Sequence, residues 1–380
     1  IKPVYLRFFA FFALSIAATM GIAAAGNLLT LFVFYELLTL LTFPLVTHHG
    51  DPEAVRGGRV YLFILLATSM LLLLPALIAI WAYTGTTDFQ LGGILAGKVS
   101  APVAVVLLAL CLFGVGKAAL MPFHLWLPNA MVAPTPVSAL LHAVAVVKAG
   151  VFTVVKLVVY VFGVDFLRQA GNTDWLLAVA GFSIVVASIV ALQADNLKRR
   201  LAFSTVSQLS YVTLGALMLV PLSIKAAVLH IAAHAVGKIT LFFAAGSIYT
   251  AAHKTQVSQL NGIGHRMPWT MAAFGVAALS MIGLPPTFGF ISKWYLVSAA
   301  MDTSNLFAII VIALSTLLNA AYFLPIVYAA FFKPLSAQDL HHPHGEAPWP
   351  MVLALSLTAL ATVALFFFPE GALALASRLT

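Results

Sequence analysis

The chain has 380 residues, of which 62% are hydrophobic and only 8% are charged. Soluble domains carry about 25% charged residues, so a soluble protein of this size could not cover its surface. The single cysteine, Cys111, excludes a disulfide scaffold and thiolate zinc or iron–sulfur sites, and the apolar content excludes disorder. The composition predicts an all-α, polytopic membrane protein. Because the first residue is Ile1, we expect a further segment to precede it.

Eleven stretches are predicted to cross the bilayer, since a spanning helix needs about 20 mostly apolar residues. The fourth and ninth stretches are too long for one straight helix and contain prolines. Breaks are therefore predicted near residues 120–122 and 283–289. The predicted spans are roughly 6–24, 26–47, 60–83, 102–131, 135–163, 173–194, 200–220, 223–251, 267–300, 305–332 and 349–368.

The net charge of +8 is interpreted as a topology signal, because membrane proteins concentrate Lys and Arg in cytoplasmic loops. Loops on one side carry ten basic residues and loops on the other side carry four. This asymmetry predicts that the side with ten is cytoplasmic and that the C-terminus lies outside. We expect a multi-pass protein of the inner membrane of a prokaryote. The ten are Lys2, Arg7, Arg56, Arg59, Lys198, Arg199, Arg200, Lys254, Arg266 and Lys333, and the four are Lys98, Arg168, Lys225 and Arg378.

The two broken spans lie five spans apart, and each carries a lysine beside its break. Lys117 precedes Pro122 by five residues, and Lys293 follows Gly289 by four. Five is odd, so a second unit of five helices would enter the membrane from the opposite side. The pattern predicts an inverted repeat, in which paired interrupted helices mark a transport site. The predicted units are residues 1–170, residues 171–335, and a loop with a final span at 336–380.

Ionisable residues inside the spans are the candidate functional groups, because each costs about 2.5–3.5 kcal/mol at a helix centre on insertion scales. Glu36, in LFVFYELLTLLTF, is the only acid deep in a span. It is predicted to handle protons or ions, with a structural hydrogen bond as the alternative. Lys117 is predicted to exchange protons, with a permanent ion pair to Glu36 as the alternative. The lysines inside spans are Lys117, Lys148, Lys156, Lys238 and Lys293.

His230, His234 and Lys238 are spaced i, i+4 and i+8, so they share one helix face. Imidazole titrates near neutral pH, which suits a proton relay. Interhelical hydrogen bonds are the alternative. A metal site would lack a third ligand, and bis-histidine haem would lack a facing histidine. Lys156 lies about 12 Å along the helix from Lys148 and could instead extend to the outer interface.

Several weaker signals remain. His142 and Ser207 are candidate relay residues, with packing or hydrogen bonding within the core as the equal alternative. Ser204 and Gln208 could order water in the same way. The histidine-rich loop His341–Glu346 is interpreted as solvated rather than metal-binding. The sequence predicts no metal, no cofactor and no catalytic residue.

Four runs resemble the signatures of a known family, the antiporter-like subunits. These subunits occur in respiratory complex I, membrane-bound hydrogenases and Mrp-type multisubunit Na+/H+ antiporters. The resemblance spans nearly the whole chain. The runs are GKAALMPFHLWLPNAMVAPTPVSALLHAVAVVKAG, DNLKRRLAFSTVSQLSY, HAVGKITLFFAAGSI and GLPPTFGFISKWYL.

The resemblance implies a fold of fourteen helices with two inverted five-helix repeats, of which the eleven spans would be the fourth to fourteenth. It implies that Glu36 is the essential glutamate and Lys117 the lysine of the first broken helix. Lys148 and Lys238 would be connecting lysines, and Lys293 the lysine of the second broken helix. The run GLPPTFGF is followed by a lysine at 293, and no long lateral helix is predicted. In both features the chain resembles the Mrp D-type subunit.

The leading hypothesis is a proton- or cation-translocating subunit of a larger membrane complex, with other integral membrane subunits, H+ and Na+ as partners and no nucleic acid. Protonation of Glu36 would open its ion pair with Lys117, which would release its proton toward Lys148, the histidines, Lys238 and Lys293. The alternatives are a pump driven by NADH or ferredoxin oxidation in partner subunits, a haem-bearing electron carrier, and a passive scaffold. In a redox complex the chain would be a translocase subunit without catalytic chemistry of its own.

Overall fold

The computed structural model describes residues 3–335 and 345–379, and these residues are helical apart from loops and two isolated β-bridges. The predicted all-α fold is confirmed. Within the described residues, the first half contains α1 (Pro3–Ala24), α2 (Leu28–Val46), α3 (Pro52–Thr68), α4 (Leu74–Thr84), α5 (Ala101–Gly114), α6 (Trp126–Asn129), α7 (Thr135–Ala139), α8 (Val146–Lys156) and α9 (Val164–Ala170).

The second half continues with longer helices. Single π-helical turns join α3 to α4 and α7 to α8, so each of these pairs forms one span. Over the described ranges, the helices of this half are α10 (Asp174–Gln193), α11 (Leu197–Leu217), α12 (Pro221–Ala252), α13 (Pro268–Ile282), α14 (Phe288–Asp302), α15 (Leu306–Phe332), α16 (Trp349–Phe367) and α17 (Glu370–Ala376).

Among the described residues, eight helices are long and apolar enough to cross a membrane. The other three of the eleven predicted spans correspond to α11 and to the two broken segments. The chain is therefore a multi-pass membrane protein. The most deeply buried helix is α11, in which nearly every side chain from residue 200 onward is inaccessible. It packs mainly against α10 and α12, so the polar residues of α11 face protein rather than lipid.

The two breaks differ in where they place their lysine. The first begins earlier than the predicted 120–122, because α5 ends at Gly114 and Lys117 lies in a 3-10 turn inside the break. A Cβ on Gly114 would lie 2.5 Å from the backbone nitrogen of Leu73, so this residue lets the chain turn against the π-helical turn before α4. The second break lies at the predicted place, between Ile282 and Phe288, and Lys293 is on α14.

We propose that the two halves are structural repeats, and matching backbone links support this proposal. In each half an asparagine caps the second helix, and its neighbours form backbone hydrogen bonds to the segment that follows the third span. The caps are Asn27 and Asn196. The bonds are Leu28 N to Thr87 O at 2.8 Å and Phe89 N to Gly26 O at 3.1 Å in the first half, and Leu197 N to Thr255 O at 2.8 Å and Val257 N to Asp195 O at 2.7 Å in the second.

The close approach of α13 and α14 depends on Gly289. A Cβ at this position would lie 1.8 Å from the carbonyl oxygen of Ser280. We predict that Gly289→Ala pushes the two half-helices apart and lowers the free energy of unfolding by about 1–3 kcal/mol. The measurement is the thermal midpoint of the purified complex.

Gly275→Ala is the matched control, because Gly275 lies on α13 and its Cβ would meet Val327 of α15 at an ordinary 3.7 Å. This variant should keep the wild-type midpoint. Equal midpoints for the Gly289 and Gly275 variants would show that the half-helices do not need the close approach.

Candidate functional site

Lys117 is buried in the first break and is held by α2. Its side chain is 0% exposed. The ammonium donates to the Tyr35 carbonyl oxygen at 2.8 Å and to the Thr39 hydroxyl, and it lies 3.3 Å from the centroid of the Tyr35 ring. The Tyr35 hydroxyl also accepts the backbone N–H of Lys117 at 3.1 Å. Carbonyl, hydroxyl and aromatic face together replace the water shell of the cation.

Glu36 does not form the predicted ion pair with Lys117. Neither carboxylate oxygen of Glu36 has a hydrogen-bond partner among the described residues. Tyr35 and Thr39 are one helical turn apart and share a face, whereas Glu36 is rotated about 100° from Tyr35 around the same helix. The neighbours of Glu36, rather than Glu36 itself, therefore hold the ammonium in this state.

Lys148 on α8 meets His234 on α12 directly. The Lys148 amine and the Nδ1 atom of His234 are hydrogen-bond partners, and both side chains are buried. The Nε2 atom of His234 and both ring nitrogens of His142 have no partner in the described part of the chain. The His142 ring packs 5.1 Å from Phe242. Lys148 and His234 can share one proton, whereas His142 forms no hydrogen bond to either of them.

His230 lies one turn before His234 on α12 and has partners on both sides of its ring. Its Nε2 is 3.0 Å from Gln208 Oε1 on α11, and its Nδ1 is 3.0 Å from Ser292 Oγ on α14. The ring also packs 5.4 Å from Tyr211. One imidazole thus joins three helices.

Lys238 lies one turn after His234 and points toward α11. Its ammonium donates to Ser204 Oγ at 2.9 Å and to the Leu201 carbonyl oxygen at 3.3 Å. The Phe323 ring lies 5.9 Å away. Ser204, one of the hydroxyls that the sequence suggested, is therefore a direct lysine partner.

Lys293 reaches back from α14 to the end of α13. Its ammonium donates to the carbonyl oxygens of Met281 at 3.0 Å and Ile282 at 2.9 Å, and it lies 4.9 Å from the Tyr211 ring. These carbonyls lack intrahelical partners because the helix ends there. The partial negative charge at a helix C-terminus favours the cation.

Six of these side chains are buried and basic, and together they are called the buried basic row. Lys148 and His234 are bonded to each other, and His230, His234 and Lys238 share one face of α12 as predicted. Across residues 3–335 and 345–379 the one ion pair within 4.0 Å joins Arg168 to Asp165 on the surface. The row therefore has no acidic partner at that distance. It comprises Lys117, Lys148, His230, His234, Lys238 and Lys293.

Lys156 and Ser207 lie outside this row. Lys156 is half-buried, donates to the Ala25 carbonyl oxygen at 2.6 Å, and lies 4.3 Å from the Phe89 ring, so it anchors the end of its span to the α1–α2 turn. Ser207 is 2.9 Å from the Ser188 hydroxyl and bonds to none of the lysines in the described part of the chain.

Most of the histidine-rich loop, residues 341–344, lies outside the described residues. Its last residue, Glu346, accepts from the backbone N–H groups of Trp269 at 2.7 Å and Thr270 at 3.2 Å. These are free N–H groups at the start of α13, where a carboxylate is favoured. Glu346 thus caps the first half of the second broken helix.

Four partner residues were not singled out by the sequence. Tyr35, Thr39 and Ser292 carry ordinary hydroxyls next to predicted residues, so their type alone gave no signal. Asn319 donates to the Met281 carbonyl oxygen at 3.4 Å and accepts from the Tyr322 hydroxyl. The sequence did carry a signal for Asn319, because an asparagine within an apolar span requires a polar partner.

The fold and the buried basic row define a class: multi-pass helical membrane proteins with ionisable groups beside two broken helices. Residues 25–319 match a family model described as NADH:quinone oxidoreductase/Mrp antiporter, transmembrane. The match covers most of the chain, and the chain belongs to this family.

Relatives lie in both branches of the family name. NADH-quinone oxidoreductase subunit N of Desulforudis audaxviator is 34% identical over 96% of this chain and 74% of its own length. The A/B subunit of a probable K(+)/H(+) antiporter of Rhizobium meliloti is 33% identical over 96% of this chain, which spans only 36% of that protein. The predicted family resemblance is confirmed.

Two solved structures share the fold. The chain superimposes on one protein of the Mrp complex from a Dietzia species with a TM-score of 0.85, at 23% identity over 97% of this chain and 76% of that one. The TM-score is 0.84 for the membrane-bound sulfane sulfur reductase, an archaeal respiratory membrane complex, at 26% identity over 97% of this chain and 74% of that one. Both structures are of multisubunit membrane complexes.

The anchor contacts of Lys156 separate a structural role from a relay role. We predict that Lys156→Met removes the bond to Ala25 and the Phe89 contact and costs about 1–2 kcal/mol of stability. The transport rate per assembled complex should stay within about twofold of wild type. Thermal midpoint and vesicle transport are the two measurements.

Lys225→Met is the control, since Lys225 also lies over an aromatic ring, 5.4 Å from the centroid of Tyr295. A loss of transport specific to the Lys156 variant, with an unchanged midpoint, would assign Lys156 to the relay.

Proposed function

We propose that the chain is a proton-translocating subunit of a multisubunit membrane complex, and that protons move among the residues of the buried basic row. The observation that carries the proposal is the row itself. Six basic side chains lie in the apolar interior of the described protein, and none is within 4.0 Å of a carboxylate. Isolated charges at this depth are expensive, so purely structural use of the row is disfavoured.

The partners of the lysines are compatible with proton loss. Lys117, Lys238 and Lys293 donate to carbonyl or hydroxyl oxygens. Such oxygens accept from a neutral amine as well as from an ammonium. Each lysine can therefore change its charge and keep its hydrogen bonds. A fixed carboxylate partner would instead lose most of its attraction when the lysine became neutral.

The proposed mechanism begins at Glu36. A proton on Glu36 would remove the negative charge nearest to Lys117, and Lys117 would then pass its proton toward Lys148. The shared hydrogen bond between Lys148 and His234 supports the next step. No hydrogen bond joins Lys117 to Lys148 in the described residues, so this transfer requires a change of lysine rotamer or a bridging water. His234 leads along α12 toward Lys238, and His230, one turn before His234, faces Ser292 on α14 beside Lys293.

For the complex itself, we propose an Mrp-type antiporter in the inner membrane of a prokaryote, which exchanges H+ for a cation such as Na+. The antiporter relatives and the lysine at position 293 support this reading. A redox-driven pump is the second candidate, and the relative named subunit N of an NADH-quinone oxidoreductase favours it. The D-type assignment stays a prediction.

The central test replaces Lys117. Lys117→Met keeps the volume of the side chain and removes the exchangeable proton. We predict at least a tenfold loss of proton movement, followed with a pH-sensitive dye in everted vesicles that hold the assembled complex.

Lys98→Met is the control, because Lys98 is an exposed lysine of a loop and should transport at the wild-type rate. Full transport by the Lys117 variant, at equal assembly, would contradict the proposed mechanism and favour a scaffold.

The type of complex is decided by its other subunits. We expect mild-detergent extraction followed by mass spectrometry to recover small hydrophobic membrane subunits, as an antiporter driven by the proton gradient requires. Co-purification of flavin or iron–sulfur subunits would replace the antiporter with the redox-driven pump.

A further inference from the structure

The two hydrogen bonds of His230 differ in what they allow. One partner is an amide, Gln208, and the other is a hydroxyl, Ser292, each 3.0 Å from a ring nitrogen. A hydroxyl can donate or accept after a rotation, whereas each end of an amide has one fixed role. The orientation of Gln208 therefore determines which ring nitrogen of His230 carries hydrogen.

A third group fixes that orientation. The Nε2 atom of Gln208 lies 3.3 Å from the carbonyl oxygen of Met281. A carbonyl oxygen can only accept, so the amide nitrogen of Gln208 must face it. The amide oxygen is then left facing His230. The end of the broken helix α13 thereby sets the direction of a side chain on α11.

An amide oxygen that faces Nε2 of His230 requires a hydrogen on that nitrogen. Nδ1 of the neutral ring is consequently the acceptor, and the Ser292 hydroxyl donates to it. The same hydroxyl lies 3.0 Å from the Gly289 carbonyl oxygen. When Nδ1 gains a proton, Ser292 can turn its hydrogen to Gly289 and accept from Nδ1–H. Both charge states of the ring are thus fully hydrogen-bonded.

We propose that His230 gains and loses its proton at Nδ1 alone, through Ser292. Gln208 is the positioning residue that keeps the hydrogen on Nε2. The proposal rests on the proposed function. In the step, a lysine ammonium on the α14 side, that of Lys293, gives a hydrogen to Ser292 Oγ while the Ser292 hydrogen moves to Nδ1. The donor becomes neutral and the ring becomes an imidazolium. The amide oxygen of Gln208 is too weak a base to take the Nε2 hydrogen.

This arrangement gives His230 a different role from a through-ring relay. A relay would take a proton on one nitrogen and release it from the other. His230 instead receives and returns protons on the side of α14, where Lys293 follows Ser292 directly. It is a charge partner of the second broken helix, and protons do not cross its ring.

The first test reads the tautomer and does not depend on transport. The assembled complex with 15N-histidine is examined by solid-state NMR at a pH where the ring is neutral. Subtraction of the His230→Gln spectrum isolates the His230 signals. We expect hydrogen on Nε2 and none on Nδ1, and a mixture of both tautomers in Gln208→Met. A neutral His230 with hydrogen on Nδ1 would overturn the proposal.

The second test measures transport. Ser292→Ala should lower proton movement at least tenfold, and Ser292→Thr should restore it. Gln208→Met should cost less than about threefold, because Nδ1 exchange remains. Ser247→Ala is the matched control, a buried serine of α12 whose hydroxyl has no partner in the described residues. Ser292→Ala rates equal to the control, or equal losses in the Gln208 and Ser292 variants, would overturn the proposal.

The two tests separate this inference from the proposed function. If wild-type vesicles moved no protons, the proposed function would fail, and the NMR result would still decide which nitrogen of His230 carries hydrogen. If transport were present and the tautomer were the opposite one, only the inference about His230 would fail.

Discussion

The hydrogen bonds between the Lys293 ammonium and the last carbonyls of α13 connect the broken helix to the charged interior. The helix must end for these carbonyls to be free. It ends at Ile282 because the next residue, Gly283, has a φ of +92°, which residues with a side chain rarely adopt. Gly289 then lets α14 pass against Ser280 closely enough for Lys293 to reach back. The Met281 carbonyl also accepts from Gln208 and Asn319, so one broken helix end orders groups from three other helices.

The two halves hold their lysines in different ways. Lys117 is held by a helix side, with the Tyr35 ring and carbonyl, whereas Lys293 is held by a helix end. The two halves also differ at equivalent positions of α2 and α11, counted from the asparagine that caps each helix. Nine residues after Asn27 is Glu36, and nine residues after Asn196 is Thr205. The second half thus has a hydroxyl where the first has a carboxylate. A proton arriving at Glu36 changes the charge in one half only, which gives the two lysines unequal roles in the proposed mechanism.

Aromatic faces and backbone oxygens take the place of counterions throughout the interior. Lys117, Lys238 and Lys293 each lie within 6 Å of an aromatic centroid, and each donates to at least one carbonyl. Such partners stabilise a cation less strongly than a carboxylate does, and in the proposed mechanism they leave its proton exchangeable. Lys148 differs, since its partner is a histidine that can itself take the proton. The interior therefore combines sites that hold a proton with one pair that can share it.

The sequence by itself determined the membrane class, the spans, the second break and the identity of the six residues of the buried basic row. These follow from local quantities: apolar length, proline position and the cost of a charge in hydrocarbon. The tertiary structure decided which atoms those residues meet. It separated Glu36 from Lys117, made Lys156 an anchor and placed Gln208 against His230, because each partner comes from a helix distant in the chain or from a face set by helix rotation. A lysine's position in a span is written in the sequence, whereas the direction of its ammonium depends on how the helices pack.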